Sequence, residues 1–439
     1  MNRISVIGTG YVGLVSGACL AEFGLNVTCM DIDNSKIESL KAFKIPIYEP
    51  ELEELVSKNV KAGRLHFTTD IAEAVENSST IFIAVGTPPQ EDGSADMQYV
   101  LSAATSIAEH MNSYKVIVDK STVPMGTGRR VKSVIQKTLE SRALNIPFDV
   151  VSNPEFLREG SAVKDFMHPD RIVIGCESTK AADIMKNIYR VLYINNHPFV
   201  ITNIETAELI KYASNAFLAT KIAFINEMSA LCEKSSANVQ DVARAMGFDG
   251  RIGKYFLHAG PGFGGSCFPK DIKALLNISR EYGCENEIIK AIISSNEKQK
   301  LHMVEKIKGA MSDIQGKTIA ILGLSFKPET DDIRESSSII IIKRLLNEGA
   351  IIRAYDPISM ENTQKYAFSK DEIYFAENEY DCVANADAVV IITEWNQFRN
   401  LDITKIKETM KGDYFFDLRN IYERSYIEEY GLNYYGVGR

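Results

Sequence analysis

Ile4-Ser5-Val6-Ile7-Gly8-Thr9-Gly10-Tyr11-Val12-Gly13 runs an apolar stretch straight into a glycine-rich turn. The first four residues read as a strand, and the residues after the turn open a helix. Glycines at 8, 10 and 13 permit a tight turn and a close approach of backbone to ligand. The helix N-terminus then faces a pyrophosphate. Asp31 closes the next apolar run, Val27–Met30, where a carboxylate accepts hydrogen bonds from an adenosine ribose. A charge there repels a 2′-phosphate, so the turn Gly8, Gly10, Tyr11, Val12, Gly13 with Asp31 predicts NAD in preference to NADP. Lys36 softens that preference slightly.

Outward from this turn, apolar runs recur at Ile4–Ile7, Val27–Met30, Ile81–Val85, Val116–Val118 and Val150–Val151, with helical stretches between them. That rhythm predicts a parallel sheet covered on both faces. From Ile204 to Met246 there is neither glycine nor proline, and the apolar spacing predicts one long helix over about 205–236 with a shorter one behind it. Such a helix either bridges two domains and supplies a dimer surface or packs within one. The rhythm restarts at Lys317, with strands at Thr318–Leu322, Ile351–Tyr355 and Ala388–Ile392 and a helix over Ser336–Glu348. The expected fold is α/β: two doubly wound Rossmann-like domains, 1–203 and 311–439, joined by a helical segment, 204–310.

The chain has 439 residues, 45% of them hydrophobic and 24% charged, and a net charge of −9. This composition excludes disorder and argues against nucleic acid or an anionic membrane as the main partner. No apolar run reaches the ~20 residues of a membrane helix. The start has no apolar leader segment, and seven scattered cysteines without a C-x-x-C pair suit a reducing, cytoplasmic setting rather than a disulfide framework or a structural zinc site. The six histidines show no metal-like clustering, so no metal is expected.

Ligands of doubly wound sheets bind outside the carboxyl ends of the strands. Thr87 in Val85-Gly86-Thr87-Pro88-Pro89 and Thr122 in Ser121-Thr122-Val123-Pro124 therefore either flank the cofactor or cap their turns. Asn153–Gly160 (NPEFLREG) carries Glu155 and Glu159 four residues apart, which in a helical turn would share a face as a general base and its support. Lys211 and Asn215, also four apart, sit amid apolar neighbours on the long helix. A cation and an amide buried together are costly unless they serve something, and a developing oxyanion is one such object. Gly262–Asp271 (GFGGSCFPKD) holds Cys267 between glycines and a Pro-Lys-Asp step. The thiol is either a small buried hydrophobe or a nucleophile activated by its cationic neighbour.

GTGYVG (8–13), VGTPP (85–89), STVP (121–124), NPEFLREG (153–160), the Lys211/Asn215 helix, GFGGSCFPKD (262–271) and LGLSFKPETDDIRESS (322–337) occur together in this order. In this the chain resembles the UDP-glucose/GDP-mannose dehydrogenase family over essentially its whole length. The resemblance implies oxidation of a primary alcohol to a carboxylate by two hydride transfers to two NAD molecules, through a thiohemiacetal and a thioester on Cys267. Lys211 and Asn215 would stabilise oxyanions, with Asp271, Glu159 and Thr122 positioning water and Glu155 assisting. Lys270, Glu159 and Arg334 would approach the cofactor. Glu155, Phe156, Leu157, Lys211, Asn215, Tyr255, Leu257, Gly264, Phe326, Lys327 and Arg419 would line a sugar-nucleotide site, and Arg251 would reach the site of a partner in a homodimer.

The implied substrate is UDP-glucose, with GDP-mannose or a UDP-N-acetylhexosamine as the alternative. A two-electron 3-hydroxyacid dehydrogenase shares the βαβ start and the long helix but has no need of Cys267. An idle dinucleotide sensor has no need of Cys267, Lys211, Asn215 and Asp271 together.

Overall fold

Strands β1 (Arg3–Ile7), β2 (Asn26–Met30), β3 (Leu65–Thr68), β4 (Thr80–Ile83), β5 (Lys115–Asp119), β6 (Phe148–Ser152), β7 (Ile172–Gly175) and β8 (Phe199–Thr202) build the first sheet. The computed structural model describes residues 3–193 and 197–439. The spatial order is β3-β2-β1-β4-β5-β6-β7-β8. All neighbours run parallel except β6 and β7, which meet antiparallel at Ser152 and Gly175. Because side chains alternate across a strand, β4 sends Phe82 to one face and Ile81 and Ile83 to the other. Phe82 joins a cluster with Val6, Leu14, Val15, Ala18 and Val118, while the two isoleucines join Ile117, Val100, Ala104 and Ile107. Both faces are therefore dry, and each fully buried aliphatic side chain contributes about 1.5–3 kcal/mol.

A second sheet holds β9 (Thr318–Leu322), β10 (Ile351–Tyr355), β11 (Tyr374–Phe375), β12 (Ala388–Ile391), β13 (Tyr414–Asp417) and β14 (Asn433–Gly436). Its order is β11-β10-β9-β12-β13-β14, parallel throughout. Both sheets reverse direction beside their first strand, which is where a doubly wound sheet opens a ligand crevice. The α/β class and the Rossmann-like arrangement are as the sequence predicts. The long helix spans Ile204–Ser235 and is followed by Val239–Phe248, within a residue or so of expectation at the long helix's ends.

The chain divides into two compact units. One comprises Met1–Ser214 with Asn277–Gly283, and the other Asn215–Leu276 with Cys284–Arg439. The long helix contributes residues to each. Among the described residues, no helix is long and apolar enough to cross a membrane.

Candidate active site

In the first unit, Gly8 adopts φ +100° and donates its N–H to the Met30 carbonyl at 2.8 Å. A Cβ on Gly8 would lie 2.6 Å from the Ala84 carbonyl oxygen, and one on Gly13 would lie 2.0 Å from the Gly8 carbonyl oxygen. A Cβ on Gly10 would meet nothing within 4 Å. Two glycines thus close the turn, and the middle one leaves open space at the start of the Tyr11–Glu22 helix, whose N-terminus has no side-chain cap. Asp31 accepts from the Thr9 N–H and Oγ1 at 2.8 Å each through one oxygen and from the Asp33 N–H at 3.0 Å through the other. Lys36 Nζ stands 3.9 Å away. Burial pushes the Asp31 carboxyl up, but the hydrogen bonds from Thr9 and Asp33 and the Lys36 charge outweigh it and hold the pKa below the usual range. An uncapped helix end, open space at Gly10 and an ionised carboxylate with acceptor capacity left suit the diphosphate and ribose of NAD.

The two threonine turns meet: Thr87 Oγ1 donates to the Thr122 carbonyl at 3.0 Å, and Ser121 Oγ donates to the Val85 carbonyl at 2.8 Å. The Tyr11 hydroxyl bonds Glu49 and accepts the Gly160 N–H at 2.8 Å. Glu49 also receives the Ala162 N–H at 2.7 Å. The fingerprint tyrosine therefore anchors the loop that follows β6, a tie across 149 residues of sequence.

That loop departs from expectation. Residues 153–158 form neither helix nor strand, and the next helix begins only at Ala162. The Glu155 carboxylate takes the Leu157 N–H and the segment stays non-helical, so Glu155 and Glu159 do not share a helical face. Glu155 is buried and instead accepts the Lys211 ammonium at 2.8 Å and the Leu157 N–H at 2.6 Å. Burial raises the Glu155 carboxyl, but the charge and hydrogen bond of Lys211, the Leu157 N–H and the Lys120 charge more than offset this, and its pKa is lowered. Two cations approach Phe156, with the Arg171 guanidinium 3.6 Å and Lys211 Nζ 5.4 Å from its ring centre. Leu157 packs on the sheet's core, and Glu159 is half-buried. Neither Arg171 nor Lys120 carries a motif that would flag it in sequence.

In the second unit, the Cys267 carbonyl accepts the Asp271 N–H at 2.8 Å, which puts Cys267 at the N-terminus of helix Phe268–Glu281. The positive end of a helix favours a negative charge at that place. Cys19, Cys29 and Cys382 contrast with it: each thiol is buried, and burial pushes its pKa up. Asp271 is 1% exposed and bracketed, with Lys270 Nζ 2.7 Å from one oxygen and Asn215 Nδ2 2.7 Å from the other.

The turn before the cysteine is clamped on two sides. Asn296 accepts the Phe263 N–H at 2.8 Å and donates to its carbonyl at 3.0 Å, and Gly265 donates to the Arg334 carbonyl at 2.8 Å. A Cβ on Gly264 would fall 2.3 Å from the Glu335 carbonyl oxygen; Gly265, at φ +86°, would meet the Phe326 ring at 2.7 Å. The 322–337 segment is thus built against the cysteine loop.

The remaining predicted cations lie in different settings. Lys327 Nζ is 5.6 Å from the Phe326 ring centre, and Arg334 is exposed and paired with Asp332 at 2.8 Å. Arg419 Nε donates to the Ile392 carbonyl at 2.7 Å and forms an ion pair with Glu394 at 2.9 Å. Arg251 is 90% exposed and turned to Asp249; Tyr255 is exposed and Leu257 buried.

Three family models match in order. The NAD-binding domain of the UDP-glucose/GDP-mannose dehydrogenase family covers residues 2–193, its central domain 205–298 and its UDP-binding domain 320–424. The chain belongs to the UDP-glucose/GDP-mannose dehydrogenase family. This family member is an NAD-dependent oxidoreductase, and the residues of the Gly8–Gly13 turn with Asp31 suit that cofactor. It is 50% identical to a UDP-glucose 6-dehydrogenase of Rhizobium meliloti, over all of this chain and 99% of the relative. It is 48% identical to the UDP-glucose 6-dehydrogenase TuaD of Bacillus subtilis, over all of this chain and 94% of that one. Among solved structures, a UDP-glucose dehydrogenase from Pyrobaculum islandicum matches with a TM-score of 0.89 and 38% identity, over 96% of this chain and 95% of that one.

Proposed function

We propose that this family member oxidises UDP-glucose at C6 to UDP-glucuronate, with two NAD consumed per sugar. Cys267, a thiol at a helix N-terminus with Asp271 one turn on and held by Lys270 and Asn215, carries the reading, because a two-electron dehydrogenase has no use for it. The full-length 50% identity to a relative named for UDP-glucose supports the choice of sugar.

NAD, when bound, accepts one hydride in each oxidation. Lys211 in its neutral amine form, directly or through water, takes the C6 hydroxyl proton in the first oxidation, and the ammonium so formed is held by Glu155. The Cys267 thiolate then adds to the aldehyde carbon, forming a C–S bond, so the aldehyde is held between the two oxidations. Lys211 and Asn215 stabilise the oxyanion of that adduct. After the second oxidation the adduct is a thioester. Water positioned by Asp271, Glu159 and Thr122 attacks the carbonyl, the C–S bond breaks, and the carboxylate leaves with the thiol restored.

Residues 1–203 serve the cofactor through Gly8, Gly10, Tyr11, Val12, Gly13, Asp31, Lys36, Thr87, Thr122 and Glu159. Residues 204–310 supply the nucleophile and Lys270. Residues 311–439 hold the nucleotide through Phe326, Lys327 and Arg419, with Arg334 toward the cofactor. Phe156, Leu157, Tyr255, Leu257 and Gly264 shape the sugar site.

The working form is a cytoplasmic homodimer in which Arg251 reaches the partner's sugar. Phe217, Phe224 and Leu231 recur every seventh residue on the long helix and are 67%, 45% and 59% exposed, which supports a covered face there.

Purified protein with UDP-glucose is expected to yield two NADH per sugar, and one per sugar would overturn the scheme. Cys267→Ser is expected to lower the two-step rate by about 10³-fold or more. GDP-mannose and UDP-N-acetylhexosamines offered in the same assay test the sugar.

A further inference from the structure

The stretch from Gly260 to Gly265, just before Cys267, is buried throughout, yet it belongs to neither helix nor strand. Buried backbone N–H and C=O groups need partners, and here side-chain amides supply several of them. Asn226 Oδ1 accepts the Gly260 N–H at 2.9 Å, and Gln299 Nε2 donates to the Gly260 carbonyl at 2.8 Å. Asn296, on helix Glu287–Met311, takes both backbone groups of Phe263, the N–H at 2.8 Å and the carbonyl at 3.0 Å. All three amides are themselves buried.

These anchors are not equivalent. Gly260 is the far end of the stretch, whereas Phe263 reaches the helix that Cys267 precedes. Its ring meets the Phe268 ring edge-on, with centroids 6.0 Å apart, and Phe268 is the first residue of helix Phe268–Glu281. A Cβ on Gly262 would lie 2.9 Å from Asn296 Oδ1, so the backbone passes this amide at a distance that glycine allows. A planar amide donates and accepts at once without charge. A carboxylate at 296 would set an acceptor against the Phe263 carbonyl and bury a charge beside the turn.

We propose that Asn296 is a positioning residue for the nucleophile: by pairing both backbone groups of Phe263 it fixes the turn that presents Cys267 at the positive end of helix Phe268–Glu281. This rests on the nucleophile role given to Cys267 above. A thiol held at that end has its anionic form favoured. A thiol whose turn drifts loses part of that advantage, and its line of attack with it. Asn226 and Gln299 anchor the stretch only where it begins.

The test alkylates the unliganded protein with iodoacetamide across pH, reading the Cys267 peptide by mass spectrometry, beside steady-state kinetics with UDP-glucose and NAD. Asn296→Ala is expected to move the alkylation profile to higher pH and to lower kcat by about 10²-fold, with KM for NAD near wild type. Gln299→Ala removes a buried amide from the same stretch and is expected to lower the melting temperature without moving the profile. Phe263→Leu keeps the backbone pairing, removes the ring contact with Phe268, and is expected to move the profile in the same direction as Asn296→Ala. An unmoved profile in folded Asn296→Ala overturns the proposal, and Phe263→Leu decides in its place if the alanine variant does not fold. An equal movement in Gln299→Ala also overturns it, since any loosening of the stretch would then suffice. A moved profile with an unmoved kcat upholds the positioning and shows that turnover does not depend on that thiolate, so the two readings fail separately.

Discussion

The two sheets start from the same plan and part at one aspartate. Gly8 after β1 and Gly323 after β9 have φ of +100° and +99°, and their N–H groups bond Met30 and Tyr355 carbonyls at 2.8 Å each. Each is followed by a strand that ends before an aspartate, Asp31 in one case and Asp356 in the other. Asp31 accepts three hydrogen bonds and keeps capacity for a ribose hydroxyl. Asp356 is 1% exposed and is consumed from within: it accepts the N–H groups of Leu324, Ser325, Ile358 and Ser359, the Ser325 hydroxyl and the Trp395 indole. In the first unit the helix begins at Tyr11, directly after the turn, whereas in the second the chain wanders from Leu324 to Ser336 before its helix. The same topology thus leaves a carboxylate with acceptor capacity to spare in one unit and spends it on an internal loop in the other. The loop so held is the one built against the cysteine turn.

The strongest way to break this contrast is to remove each carboxylate. Asp356→Ala strands several buried donors at once and is expected to cost about 3–5 kcal/mol in urea unfolding. Asp31→Ala is expected to cost about 1 kcal/mol but to raise KM for NAD by about 10-fold or more. A stability loss for Asp31→Ala equal to that of Asp356→Ala would show that both acids are structural and that the contrast is false.

A finer cut lies within the first turn. Gly13→Ala drives a methyl into the Gly8 carbonyl and is expected to lose about 1–3 kcal/mol of stability. Gly10→Ala faces open space in the free protein, so its melting temperature should stay near wild type while KM for NAD rises. Equal melting losses in the two variants would mean that the middle glycine is structural, as Gly13 is.

Legibility in sequence divides along physical lines. Strands with an apolar run and a turn behind it, such as β1, β4 and β9, are evident, because burial on both faces leaves no polar alternation to confuse them. Leu65–Thr68 and Tyr374–Phe375 escape notice as short edge strands, and His66 and Tyr374 point to solvent. Cys267, Lys211, Asn215 and Asp271 are legible because each sits in a motif or at helical spacing. Lys120, Glu49 and Asn296 are not, since each acts on a segment 33 or more residues away that only the folded chain brings close. The helical reading of Glu155 and Glu159 fails because four-residue spacing carries no sign of the partners Glu155 meets, the Lys211 ammonium and the Leu157 N–H. What replaces it, the buried Lys211–Glu155 pair, joins residues 56 apart.

The smallest expected effect concerns how the first unit holds its Thr122 turn, for which the second unit has its Asp356 hub. Glu208 on the long helix accepts the Gly126 N–H at 2.6 Å and the Gly128 N–H at 2.8 Å. Burial raises its pKa to about 7 against the pull of those two N–H groups, and Asp119, fully buried nearby, is likewise raised by burial and by the Glu208 charge. A carboxyl whose folded pKa lies above its unfolded value gives its full stabilisation below the unfolded value, about 4.3, and loses it as pH climbs through the folded one. Unfolding free energy should therefore fall by about 1–3 kcal/mol between pH 5 and pH 8 on account of this group. Glu208→Gln keeps an acceptor for one glycine and cannot ionise, so its urea midpoint should drop less across that range, and the wild-type and variant curves should converge or cross near neutrality. Parallel curves for the two proteins would show that ionising Glu208 costs the fold nothing. The turn would then be held as rigidly as the loop of the second unit.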